Sequence, residues 1–131
     1  MIEIKEYENI NNKFIKESGD KNMKYLIISG NPKKDGLTHA ITEEIMRGAA
    51  DGGAEPEILN ANGTQACRCC GDGWGNCLKQ NECSFGAGSF NTAQKKARSA
   101  DMLCIITPVY WGEAAEGLKN FMEFYHGLKI T

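Results

Sequence analysis

The sequence predicts an α/β fold: an open sheet of parallel strands with helices on both faces. Two features carry that expectation. Strand-like and helix-like stretches alternate three times from residue 23 onward with short connections, which requires parallel strands joined by right-handed crossovers. The run Met102-Leu103-Cys104-Ile105-Ile106 is continuously apolar, as a strand covered on both faces would be. In such sheets ligands bind beyond the carboxyl ends of the strands, so the loops after the first and third strands are the expected site.

Residues 1–22 are rich in Asn, Lys and Glu. Tyr7, Ile10 and Phe14 keep helical spacing but lack the apolar neighbours that define a buried face, so this stretch is an extension to a domain spanning residues 23–131. Met23-Lys24-Tyr25-Leu26-Ile27-Ile28 is a strand that runs into the turn-forming Ser29-Gly30-Asn31-Pro32. Leu37, Ile41, Ile45 and Ala49 then recur every four residues with Met46 beside them, while Thr42, Glu43, Glu44 and Arg47 fall opposite. That pattern is an amphipathic helix stopped by Gly52-Gly53. Residues 55–59 form a second strand, and Pro56, which lacks the ladder donor, sets it at a sheet edge or delays its start.

The glycine-rich, aperiodic cysteine segment 66–83 follows as a loop. Phe90, Ala93, Ala97 and Ala100 give a second helix with a slim face suited to close packing on a sheet. After the apolar run the chain turns at Thr107-Pro108-Val109-Tyr110-Trp111-Gly112, and a last helix carries Leu118, Phe121, Met122 and Tyr125 on one stripe. Cys104, mid-strand between Leu103 and Ile105, is expected to be a small core residue.

Composition narrows the function. The 131 residues, 41% hydrophobic and 24% charged, suit one soluble globular domain. A net charge of −2 with fifteen scattered Lys and Arg residues argues against a nucleic-acid partner. No apolar run approaches a membrane span, and MIEIKEYENINNKFIKES lacks the apolar stretch of a signal peptide. A reducing cytoplasm is therefore expected, where clustered cysteines bind metal or act in redox chemistry rather than form disulfides. Asn62-Gly63-Thr64, a formal glycosylation acceptor, is a chance match in that compartment. His39 and His126 have no acid or nucleophile pattern around them.

Ser29-Gly30-Asn31-Pro32-Lys33-Lys34-Asp35-Gly36-Leu37-Thr38 joins the first strand to the first helix with small, hydroxyl and glycine residues and free helix-start amides, the features a phosphate needs. A polar turn that binds nothing has the same composition. The loop matches neither GxxxxGK[ST] nor GxGxxG. Five of the six cysteines fall within residues 67–83, and Cys67, Cys70, Cys77 and Cys83 give C-x2-C-x6-C-x5-C with Cys69 beside the first pair. Four thiolates suit a [4Fe–4S] cluster or a zinc ion, and free thiols packed under Trp74 are the third reading.

The first loop, together with Thr107–Gly112 and Leu118-Lys119-Asn120-Phe121-Met122, resembles the flavodoxin-like NADPH-dependent FMN reductase family, and within it the iron–sulfur flavoprotein branch. Relatives nearest the cysteine segment share CRxCxxxGWGxC and a further Cys, matching Cys67, Arg68, Cys70, Gly73, Trp74, Gly75, Cys77 and Cys83. The resemblance implies FMN, its phosphate held by Ser29, Asn31, Lys33, Gly36, Leu37 and Thr38 and its ring system against Pro108, Val109, Tyr110, Trp111 and Gly112. It implies an oxidoreductase that moves electrons from NAD(P)H through FMN to a small-molecule or protein acceptor. The competing reading is a non-enzymatic zinc- or cluster-binding module.

A complete flavodoxin-like domain has five parallel strands, and this chain carries three strand-helix units. The expected sheet order is 2-1-3 with one flank of the third strand uncovered. Such an apolar edge invites pairing with another chain, so either a sequence truncated after the third strand-helix unit or a homo-oligomer is expected.

Overall fold

The structure, a computed structural model, describes residues 22–73, 75–85 and 89–127, the side chains of Ser89 and residues 124–127 excepted. The expectations for residues 1–21, for packing by Trp74 and for the stripe position of Tyr125 lie outside the described residues. Three parallel strands form the sheet: β1 (Met23–Ser29), β2 (Ala54–Asn60) and β3 (Met102–Ile106), in the order β2-β1-β3. This is the expected order, that of the first three strands of a flavodoxin-like sheet. Helix α1 (Leu37–Asp51) links β1 to β2. Between β2 and β3 lie the short α2 (Cys77–Gln80), inside the segment expected to be loop, and α3 (Ser89–Ser99). After β3, strands β4 (Val109–Tyr110) and β5 (Glu113–Ala114) form a hairpin, and α4 (Glu116–Gly127) follows.

The central strand is the most apolar and the most buried. Leu26, Ile27 and Ile28 lose nearly all contact with solvent. Because strand side chains alternate, Leu26 and Ile28 face one way and Ile27 the other. Leu26 and Ile28 pack with Ala97 of α3 and with Leu118 and Phe121 of α4. The rings of Phe90 and Phe121 meet edge to face, 6.1 Å between centroids at 66°, and so join the two helices above the sheet. The alanine face of α3 and the stripe of α4 are thus where the periodicity put them. No helix among the described residues is long and apolar enough to cross a membrane.

Three expectations change. In α1, Thr42 is buried at 4% exposure and its hydroxyl donates to the Thr38 carbonyl at 2.7 Å, whereas Leu37 is 78% exposed and Ile41 is also exposed. The helix packs along Thr42, Ile45, Met46 and Ala49, a stripe rotated by one position from the expected one. Satisfying its hydroxyl inside the helix is what lets Thr42 face inward. Next, β3 is not covered on both faces: Met102, Leu103 and Ile105 are exposed. Helix α1 packs over β2 and β1, and α3 over β1, and among the described residues no strand pairs with the outer side of β3, the flank expected to be uncovered. Cys104 is for the same reason half-buried rather than a core residue.

Pro56 sits within β2, opposite Tyr25, and β2 is the other edge, as its missing N–H requires.

Candidate functional site

The three sheet strands end level. Ser29, the last residue of β1, is in register with Asn60 of β2 and Ile106 of β3. Two backbone bonds continue the ladder one step beyond: Gly30 N–H to the Ile106 carbonyl at 2.9 Å, and Ala61 N–H to the Ser29 carbonyl at 2.8 Å. All three loops therefore leave from one rim, the carboxyl edge where ligands of open α/β sheets bind. A cleft of about 600 Å³ opens there, lined among others by Pro32 of the first loop, Asn62, Gly63 and Thr64 of the second, Tyr110 of the third and Asn120 of α4. The loop after β1 and the loop after β3 thus share one cleft.

The phosphate-like loop is built from the inside. Ser29 and Asn31 are buried. The Ser29 hydroxyl accepts from Asn31 N–H at 3.3 Å, and the Asn31 side-chain oxygen accepts from Lys33 N–H at 3.1 Å. These bonds shape the turn and leave Lys33 and Lys34 exposed. The chain then enters α1 through Gly36, whose φ of 86° favours glycine. No side chain caps the start of α1 and no acidic residue occupies its first turn. Helix-start amides carry partial positive charge and need acceptors. Uncapped amides at an exposed terminus, flanked by two lysines, fit the phosphate of FMN.

The ring-side loop is a two-residue hairpin. Val109 pairs with Ala114 and Tyr110 with Glu113, so Trp111 and Gly112 form the turn, both with positive φ (53° and 79°). Two such residues make the turn that matches the twist of the flanking strands. Trp111 carries backbone strain to stand fully exposed at the tip. Pro108 is half-buried, while Val109, Tyr110 and Gly112 are exposed. Thr107 anchors the hairpin base: its hydroxyl accepts from Ala115 N–H at 3.0 Å and donates to the Pro108 carbonyl at 2.9 Å. Lys119 pairs with Glu113 across to α4 and holds its carboxyl below the usual glutamate range, first by hydrogen bonding and then by charge.

Of the eleven residues expected to hold FMN, Tyr110 lines the cleft, and the other ten, Gly36, Leu37 and Thr38 of the helix start among them, lie outside its lining. Sequence reasoning missed Asn62, Gly63 and Thr64, dismissed as a chance acceptor motif. Their place just beyond the carboxyl end of β2 was the available signal. Asn120 belongs to the motif that carries the resemblance but was not expected as a site residue; its side-chain amide donates to the Thr64 carbonyl at 2.7 Å and ties α4 to that loop.

The cysteine segment lies next along the chain. Cys69 N–H points to the Cys67 sulfur and Asn76 N–H to the Cys70 sulfur, each at 3.4 Å. A Cβ on Gly75 would lie 2.9 Å from the Cys77 sulfur, so glycine there makes room for that thiol. Cys83 is held from α3, accepting and donating backbone bonds with the Asn91 side chain at 3.1 and 3.0 Å. The charge that Cys67 would carry as a thiolate is the main influence pushing the Cys69 thiol up, with burial second. Among the described residues no three His, Cys, Asp or Glu side chains converge into a group that could hold a metal ion. The segment has the donor chemistry of a cage without its geometry.

The profile of the NADPH-dependent FMN reductase family matches residues 23–127. An iron–sulfur flavoprotein of Methanocaldococcus jannaschii is 28% identical over 108 residues, covering 82% of this chain and 54% of that protein. The chain therefore spans about half the length of this curated relative. No solved structure gives a significant match. With the family profile covering the whole sheet and the three loops at its rim, the chain belongs to the NADPH-dependent FMN reductase family.

Proposed function

We propose that the chain forms the FMN-binding part of an oxidoreductase that takes electrons from NAD(P)H and delivers them to a small-molecule or protein acceptor. The observation that carries this reading is the level rim, where an uncapped, lysine-flanked helix start and the Tyr110 hairpin leave adjacent strands. Ser29, Asn31, Lys33, Gly36, Leu37 and Thr38 hold the phosphate, with backbone amides supplying most donors. Pro108, Val109, Tyr110, Trp111 and Gly112 face the flat ring. FMN, when bound, supplies hydride and single-electron chemistry; the protein supplies position, charge and exclusion of water. Titrating the protein into FMN should quench flavin fluorescence at one equivalent, and undiminished fluorescence would overturn the reading.

The thiols of Cys67, Cys70, Cys77 and Cys83 are assigned to a [4Fe–4S] cluster or, in its place, a zinc ion. The name of the archaeal relative and the two backbone N–H bonds aimed at sulfur support this. The thiols do not form a cage in this conformation, so a metal group must draw them together as it binds. Iron and acid-labile sulfide in equal amounts would establish the cluster, and zinc alone would favour a non-enzymatic metal-binding module. Clustered thiols also fit a reducing cytoplasm, and the bare β3 edge fits assembly with a second copy.

A further inference from the structure

The loop 62–66 that walls the flavin cleft also walls a second cavity, of about 440 Å³. One wall is apolar, formed by Leu59 of β2, Phe90 and Ala93 of α3 and Phe121 of α4, and Asn60, Asn62, Thr64 and Gln65 make a polar wall beside it. Arg68, Cys83 and Phe85 add to the lining from the cysteine segment. The volume lies within the range of small-molecule pockets, roughly 300–1,000 Å³.

The charge in this cavity is one-sided. None of the lining residues is acidic. The Arg68 guanidinium lies over the Phe85 ring, 4.9 Å from its centroid, and no carboxylate pairs with it among the described residues. Contact with the face of a ring leaves the guanidinium N–H groups available for other partners. Those groups match a planar anion through two parallel hydrogen bonds. A cationic ligand would meet Arg68 with nothing to offset the repulsion.

We propose that this cavity binds a small aromatic carboxylate, its flat body against Leu59, Phe90 and Phe121 and its carboxylate on Arg68. The apolar wall selects the body, and the guanidinium, which has no carboxylate partner among the described residues, selects the charge. The site needs no flavin, since its lining includes neither the helix-start loop nor the hairpin, and it belongs to the metal-free conformation, since Arg68 and Cys83 lie in the cysteine segment.

The test uses 2-naphthoate and its neutral isostere 2-naphthamide, each titrated into the protein and followed by backbone amide shifts in NMR. Naphthoate should bind at least about tenfold more tightly than the amide and shift residues 59–68, 90 and 93. Arg68→Gln should remove that preference while the protein keeps its fold, because Arg68 is exposed. Ala93→Leu should weaken both ligands by narrowing the cavity. Equal binding of the two ligands, an Arg68→Gln variant that retains the preference, or displacement of naphthoate by FMN would each overturn the proposal. Failure of FMN to bind at all would leave these arms unchanged, so the two readings fail separately.

Discussion

Gly30 donates its amide to the Ile106 carbonyl at 2.9 Å, one step past the last paired residues of β1 and β3. This bond sets the loops after β1 and β3 on a common origin. It also brings Gly30 under α4, where an added Cβ would lie 2.8 Å from the Leu118 Cβ and 3.1 Å from the Thr107 hydroxyl. A Cβ–Cβ approach that short cannot be relieved by a rotamer change, so the helix must move. Gly30→Ala should destabilise the fold by about 1–3 kcal/mol, the usual cost of overpacking, and weaken FMN binding in parallel. Urea unfolding checks the first and fluorescence titration the second; an unchanged midpoint would mean that α4 does not press on this loop.

Glycines elsewhere should respond with opposite signs. At Gly117, in the first turn of α4, a Cβ would lie 2.5 Å from the Ala61 carbonyl oxygen and 3.0 Å from the Asn62 Cα, backbone against backbone. Gly117→Ala should therefore cost about 3 kcal/mol or more and release the 62–66 loop. At Gly48, inside α1, an added Cβ would meet nothing within 4 Å. Gly48→Ala should raise stability by about 0.5–1 kcal/mol through helix propensity. Thermal melts of the two variants should move in opposite directions from the parent.

Local pattern was enough to reveal the architecture and not enough to reveal the covered faces. The apolar run 26–28, Ala97 of α3 and Leu118 with Phe121 each announced a buried surface, and each is buried, with Ala93 partly so. The run 102–106 announced the same and is half bare, because burial of an edge strand depends on what lies beside it and not on its own sequence. Thr42 was misplaced because a hydroxyl counts as polar in any periodicity, yet its proton is donated to the Thr38 carbonyl within the helix. At the site, the helix-start loop and the TPVYWG turn were legible as short motifs. Asn62, Gly63, Thr64 and Asn120 were not, since their shared place arises only when β2 and α4 converge on one rim.

If the start of α1 is a phosphate site, a carboxylate placed there should compete with the ligand. Leu37, the first helical residue, is exposed and makes no buried contact that would be lost. Leu37→Asp should stabilise the flavin-free protein by about 0.3–1 kcal/mol, through the favourable charge at a helix N-terminus. It should weaken FMN binding about tenfold or more by repulsion of the phosphate. A melting temperature that rises without FMN and gains less on adding FMN is the expected signature. An FMN affinity equal to the parent's would mean that the loop is an inert turn.

The Lys119–Glu113 pair links α4 to the hairpin that carries Tyr110. Lys119 depresses the Glu113 pKa in the folded protein. The stability this adds is present above the ordinary glutamate pKa and is lost as pH falls through the depressed folded value. Both side chains are largely exposed, so the effect is small and salt-sensitive. Glu113→Gln should melt slightly below the parent at about pH 7 and level with it once acid has protonated Glu113. A gap that persists unchanged in strong acid would show that Glu113 acts by packing and not by charge.

The bare edge of β3 makes the last prediction. Leu103 and Ile105 are 38% and 48% exposed on a strand whose outer ladder groups have no described partner strand. An apolar edge of that kind is a template for pairing with another chain. A second copy can answer it directly, edge to edge, with its own β3. The protein should therefore sediment above monomer mass in a concentration-dependent way. Ile105→Lys places a charge on the edge and should return it to monomer while leaving the far-ultraviolet circular dichroism unchanged. A parent protein that stays monomeric across the concentration range would rule out this assembly.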